Sequence, residues 1–124
     1  MMALDTTPDE AVLDGATFHV IPTAAGFAIV GDLDVANRAS LSNVLDQLVA
    51  RTGDVELDLA RVDFADVATG TLLVSAGRRL SRGRTLILRQ PPHQLATVIR
   101  LLYPPAVPVR PTLHGLRRDI RLTC

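Results

Sequence analysis

The chain has 124 residues, the length of one domain built round one core. A hydrophobic content of 48% with 21% charged residues excludes a disordered chain, and no apolar run approaches the roughly 18 residues of a membrane span. Formal charge is zero, yet residues 1–70 carry twelve acids against three arginines, and residues 71–124 carry ten arginines against one acid. The neutral total conceals a chain polarised end to end.

Other classes fall on residue usage. Cys124 is the one cysteine, so no intramolecular disulfide forms, and a single thiol makes no metal site. Aromatic content of 3%, with no Trp, argues against RNA or single-strand binding by base stacking. Met1 to Asp14 holds acids and no basic residue, unlike a secretory signal, and the expected compartment is the cytoplasm.

In chain order, residues 1–15 read as a loose acidic lead-in. Thr17 to Pro22 and Phe27 to Val30 are β-prone runs separated by Ala24-Ala25-Gly26, a hairpin pattern. Gly31-Asp32-Leu33-Asp34 is expected to break the second strand. Asn37 is placed to cap a helix whose Leu41, Val44, Leu45, Leu48 and Val49 form one apolar stripe, ending at Thr52-Gly53. Val55, Leu57 and Leu59 alternate with Glu56 and Asp58 as a strand, and Val62 and Phe64 are expected to extend the apolar register after a break at Ala60-Arg61.

Asp66 to Gly70 is a turn into a second helix with Leu72, Leu73, Ala76 and Leu80 on its apolar face. Arg78, Arg79, Arg82 and Arg84 crowd its end, where cations complement the helix dipole. Thr85 to Leu88 is a buried-type strand. Pro91-Pro92 opens a third helix with Leu95, Val98, Ile99 and Leu102 in register. From Tyr103 four prolines forbid a regular helix. Ala106 to Val109 is at most a short edge strand, and His114 to Arg121 is either one or two helical turns or disordered. The division expected is a lead-in over 1–15, a domain over 16–102 and a Pro/Arg-rich tail over 103–124. Strand–helix–strand units of this length imply parallel pairing with right-handed crossovers. The fold class is α/β, a four- to five-stranded mixed sheet with helices mainly on one side.

No catalytic constellation is legible. His19, His93 and His114 fall on separate segments without metal-ligand spacing, and neither a phosphate-binding loop nor a nucleophile elbow is present. Asp34 and Asp66 form a carboxylate pair only if their loops meet. The simpler roles are a turn hydrogen bond for Asp34 and a helix cap for Asp66.

Two blocks carry a resemblance. Gly31-Asp32-Leu33-Asp34, then Asn37 and Leu41, resembles the first conserved block of STAS domains, the domains of anti-sigma-factor antagonists. Leu57-Asp58-Leu59, then Val62, Phe64 and Asp66, resembles the second block, and Gly83 to Leu88 with the following helix fits the third. The resemblance covers about Thr17 to Leu102. It implies a non-enzymatic regulatory domain without cofactor or metal. The implied partner is an anti-sigma factor that is also a serine kinase of ATPase fold. The implied partner surface is Asp32, Asp34, Asn37, Asp66, Val67, Ala68, Thr69 and Gly70, with the exposed side of the second helix.

In that family a hydroxyl residue at the start of the second helix is phosphorylated by the partner. A helix N-terminus tolerates the phosphate, and the added charge disrupts the partner surface. Counted from Phe64 without a gap, the acceptor position falls on Ala68, which has no hydroxyl, so the usual serine switch is expected to be missing. A one-residue insertion would move the acceptor to Thr69. It is disfavoured because the slip rotates the Leu72/Leu73 face by about 100°. Helix capping is the simpler role for Thr69.

Two other readings stand beside this one. A STAS subunit can dock on a lipid-transport ATPase. Alternatively, the arginine-rich C-terminal half binds a ligand or nucleic acid, although arginines scattered over several elements read better as a surface compensated by neighbouring acids. Arg110, Arg117, Arg118 and Arg121 are the arginines with fewest acids nearby. No membrane insertion is expected, and a swapped or docked tail would make a homodimer.

Overall fold

In the computed structural model, described residues are 18–103, 107–108 and 119–123. The strands are β1 (His19–Pro22), β2 (Gly26–Leu33), β3 (Val55–Ala65), β4 (Thr85–Arg89), β5 (Val107–Pro108) and β6 (Ile120–Thr123). The α-helices are α1 (Arg38–Ala50), preceded by a 3-10 turn at Val35–Asn37, α2 (Val67–Arg79) and α3 (His93–Leu102).

Among the described residues, six strands form one mixed sheet in the order β1-β2-β3-β4-β6-β5. β2, β3 and β4 are parallel. β1 pairs antiparallel with β2, and β6 antiparallel with both β4 and β5. Five strands have four or more residues, as the α/β reading requires, and β5 adds a two-residue edge.

Rows of paired residues fix the core face. Phe27, Leu57, Leu88 and Ile120 align across four strands, and Val55, Leu86 and Leu122 form the next row. All are buried, in one cluster with Leu41, Leu45 and Leu48 of α1, Leu73 and Ala76 of α2, and Leu95 and Ile99 of α3. Close approach is made possible by glycine. A Cβ on Gly26 would lie 1.9 Å from the Glu56 carbonyl oxygen, and one on Gly77 would lie 2.9 Å from Leu122 Cβ.

Several local expectations change. β2 does not break at Gly31 but runs to Leu33, with Gly31 at φ 115°. β3 does not break at Ala60-Arg61 either. It carries two extra residues relative to β2, seen as register shifts between Ala28 and Val30 and between Gly31 and Leu33. Each extra residue flips side-chain parity, so the buried positions run Leu59, Val62, Ala65. Phe64, expected in the core, lies between Val62 and Ala65 and is 47% exposed. On α3, Leu102 is exposed and Ala96 buried instead.

The C-terminal stretch is the largest correction. Ile120–Thr123 is not helical; it enters the sheet between β4 and β5. The alternation of buried Ile120 and Leu122 with exposed Arg121 and Thr123 is ordinary strand period. Buried Asp119 anchors the strand, accepting from Arg89 Nη1 and from the Gln90 N–H, both at 2.9 Å. Arg89 also makes a two-pronged pair with Glu56. His114 and the arginines Arg110, Arg117 and Arg118 lie outside the described residues.

Ile120→Ala is expected to cost about 2–5 kcal/mol, the usual loss for a fully buried Ile, measured by urea denaturation. A change within about 0.5 kcal/mol, as at an exposed site, would contradict a structural last strand.

Candidate functional site

The parallel strands β2 and β3 end together, and a turn into a helix follows each. After β2, the Asp34 carboxylate accepts from the Ala36 N–H at 3.0 Å and caps the 3-10 turn. Asn37 occupies the position before α1 but makes no side-chain cap. Its Nδ2 instead donates to the Asp32 carbonyl at 2.7 Å, folding the turn back on the strand end. Val35, at the tip, is 74% exposed.

After β3, Asp66 caps α2. Its Oδ1 accepts from the Thr69 N–H at 2.9 Å, and the Thr69 hydroxyl lies 2.9 Å from the same oxygen. Thr69 is therefore not itself the cap. It is 2% exposed and points inward, its hydroxyl also 3.1 Å from the Leu33 carbonyl. Gly70 is likewise buried, and a Cβ there would lie 2.7 Å from Val98 Cγ1 of α3. Ala68 is half-buried, and Val67 is 64% exposed.

The two turns are one unit. The Leu33 carbonyl accepts from the Asp66 N–H at 3.0 Å as well as facing the Thr69 hydroxyl. The Arg38 guanidinium at the start of α1 donates to Asp66 Oδ2. Arg38 Nε is buried with no acceptor among the described residues, which subtracts from the stabilisation by the pair.

Burial raises the Asp66 pKa, but the Thr69 hydrogen bonds and the Arg38 charge together outweigh it and hold the carboxyl below its ordinary value. Sequence reasoning missed Arg38, whose only signal is its place at the first helical position. It also missed Val35, an apolar residue between polar turn residues.

Of the eight residues expected at a partner surface, Asp32, Asp34, Asn37, Asp66, Val67 and Ala68 lie exposed or half-exposed on the joined turns. Thr69 and Gly70 face the interior. Asp34 and Asp66 are each engaged by their own turn, and no hydrogen bond joins their carboxylates among the described residues. No group of three or more His, Cys, Asp or Glu among the described residues could hold a metal ion. No helix among them is long and apolar enough to cross a membrane.

A family model described as "Mlab, STAS domain" matches residues 22–103, about two thirds of the chain. The chain belongs to the STAS family. A solved structure with the same fold is the crystal structure of an anti-sigma factor antagonist from Mycobacterium paratuberculosis. It is 19% identical with a TM-score of 0.56, over 86% of this chain and 95% of that one. No curated protein matches the chain.

Asp66→Ala removes the cap and the ion pair together and is expected to cost about 1–3 kcal/mol at pH 7. Because the folded pKa is depressed, the charge-dependent part is present above the unfolded value of about 3.9 and fades as pH falls through the folded value. Urea denaturation of both proteins at pH 7 and pH 3 should show a smaller difference at the lower pH. An equal difference at both would contradict a charge-based role.

Proposed function

We propose that this chain is a non-enzymatic regulatory domain whose partner docks on the joined turns Asp32–Asn37 and Asp66–Ala68. One observation carries the reading. Hydrogen bonds to the Leu33 carbonyl and the Arg38–Asp66 pair fix the two turns, and this rigid unit presents exposed Val35 and Val67 beside the acids Asp32 and Asp34. Exposed apolar residues held by a rigid scaffold and rimmed by charge suit a protein interface. The acids favour a basic partner surface.

By family resemblance the partner is an anti-sigma factor with a kinase of ATPase fold, and binding would sequester it and release a sigma factor. The solved neighbour, an anti-sigma factor antagonist, supports the same reading. The domain works without the usual phospho-switch. Ala68 at the ungapped acceptor position has no hydroxyl, and the Thr69 hydroxyl is buried against Asp66 and Leu33. Asp34 and Asp66 hold their own turns, which speaks against acid–base chemistry by this pair. The setting proposed is the cytoplasm. The lipid-transport reading puts the nucleotide-binding subunit of an ATPase on the same unit.

Capture from native lysate, followed by identification of the bound protein, tests this. Val67→Arg is the appropriate control, since Asp66→Arg would also break the cap. An anti-sigma factor of ATPase fold should be captured and its affinity reduced about tenfold or more by Val67→Arg, the loss of an interface anchor. A transporter nucleotide-binding subunit would select the alternative. Capture unchanged in both Val35→Asp and Val67→Arg would overturn the surface. Incubation of the chain with the captured kinase and ATP should leave its mass unchanged; a phosphate on Thr69 would contradict the switchless reading.

A further inference from the structure

We propose that the chain associates head to tail with a second copy of itself, the acidic turns of one protomer seating on an arginine–leucine patch at the opposite end of the next. The patch follows from topology. β2, β3 and β4 run in one direction, and each helix returns antiparallel to them. The starts of α1 and α2 therefore lie at the turn end, and the ends of α2 and α3 at the other, about 20 Å away for a 13-residue helix.

At that far end Leu101 is 78% exposed and Leu102 39% exposed. Two exposed leucines at a helix terminus form an apolar feature with no role in the core. Arg78 and Arg100 flank them, and other arginines line the same end. Arg78 stacks its guanidinium 5.6 Å from the Tyr103 ring and reaches the Leu102 carbonyl, which places it beside the leucines. Arg79 is answered by Asp46 at 2.9 Å, and Arg84 by the carbonyls of Leu48, Val49 and Gly53 at the end of α1. Arg82 and Arg100 are exposed and make no ion pair among the described residues.

The two ends complement each other. One offers Asp32 and Asp34 flanking exposed Val35, the other Arg100 next to exposed Leu101, with Arg82 in the turn at the end of α2. Opposite charge steers encounter and fixes orientation, and apolar contact supplies affinity. A contact between two different patches is heterologous, so it continues into linear oligomers unless its rotation closes a ring. It covers the turn end, so self-association would compete with the partner proposed above. The inference rests on charge and exposure rather than on the partner's identity. Its test uses the chain alone, so its failure leaves the partner reading standing.

Sedimentation velocity on the full chain is the experiment. At about 10 mM ionic strength, where the screening length is about 30 Å, the weight-average sedimentation coefficient should rise with concentration. The rise should shrink at about 150 mM, where that length is about 8 Å. Arg100→Gln with Leu101→Ser blocks one end, and Asp32→Asn with Val35→Ser blocks the other. All four sites are exposed, so folding, checked by circular dichroism, should survive. Each variant alone should stay monomeric, and an equimolar mixture should form heterodimers and nothing larger. A monomer at every concentration and salt would overturn the proposal. So would variants that self-associate like the parent, or a mixture that stays monomeric.

Discussion

The carbonyl of Leu33 is the point on which the joined turns depend. It is the last residue of β2, and its oxygen takes the Asp66 N–H and faces the Thr69 hydroxyl. The ends of two strands and the start of α2 therefore meet at one acceptor. Asp66 completes the joint by capping α2 with one carboxylate oxygen and taking Arg38 with the other. A buried carbonyl left unpaired here would cost about as much as several surface contacts contribute, so the geometry is tightly specified. This explains why Thr69 is interior and why Val35 and Val67 project from fixed positions.

The joint can form because β3 is longer than its partner. Two extra residues in β3 bring Ala65 opposite Leu33, and Asp66 follows directly. The same insertions turn Phe64 outward. Period-two alternation makes Val55, Leu57 and Leu59 legible as a buried face, but parity carries no warning of a bulge, so alternation puts Phe64 on the wrong face. The helices were more legible, because a stripe such as Leu41, Val44, Leu45 and Leu48 tolerates no such slip. Ile120–Thr123 was illegible for another reason. Four residues behind a proline-rich stretch give too short a pattern. Their strand state depends on Leu86 and Leu88 offering an edge and on Asp119 meeting Arg89, contacts from 30 or more residues away.

At the site, the residue types were legible and their jobs only partly so. Asp34 and Asp66 do cap their turns, as short carboxylates before helices commonly do. Asn37 looks the same in sequence, but its amide serves the Asp32 carbonyl, a long-way-round contact that local pattern does not encode. The arginine-rich half divides likewise. Arg79, Arg84 and Arg89 are structural, while Arg82 and Arg100 stay on the surface at the end opposite Asp32 and Asp34.

The central claim is that the two turns act as one unit through Asp66. A double-mutant cycle between Arg38→Met and Thr69→Val, read by urea denaturation at pH 7, tests it most directly. Both residues touch Asp66 and come from different turns, so a coupling of about 0.5–3 kcal/mol is expected for members of one network. Effects that add within about 0.3 kcal/mol, as for independent sites, would contradict the account.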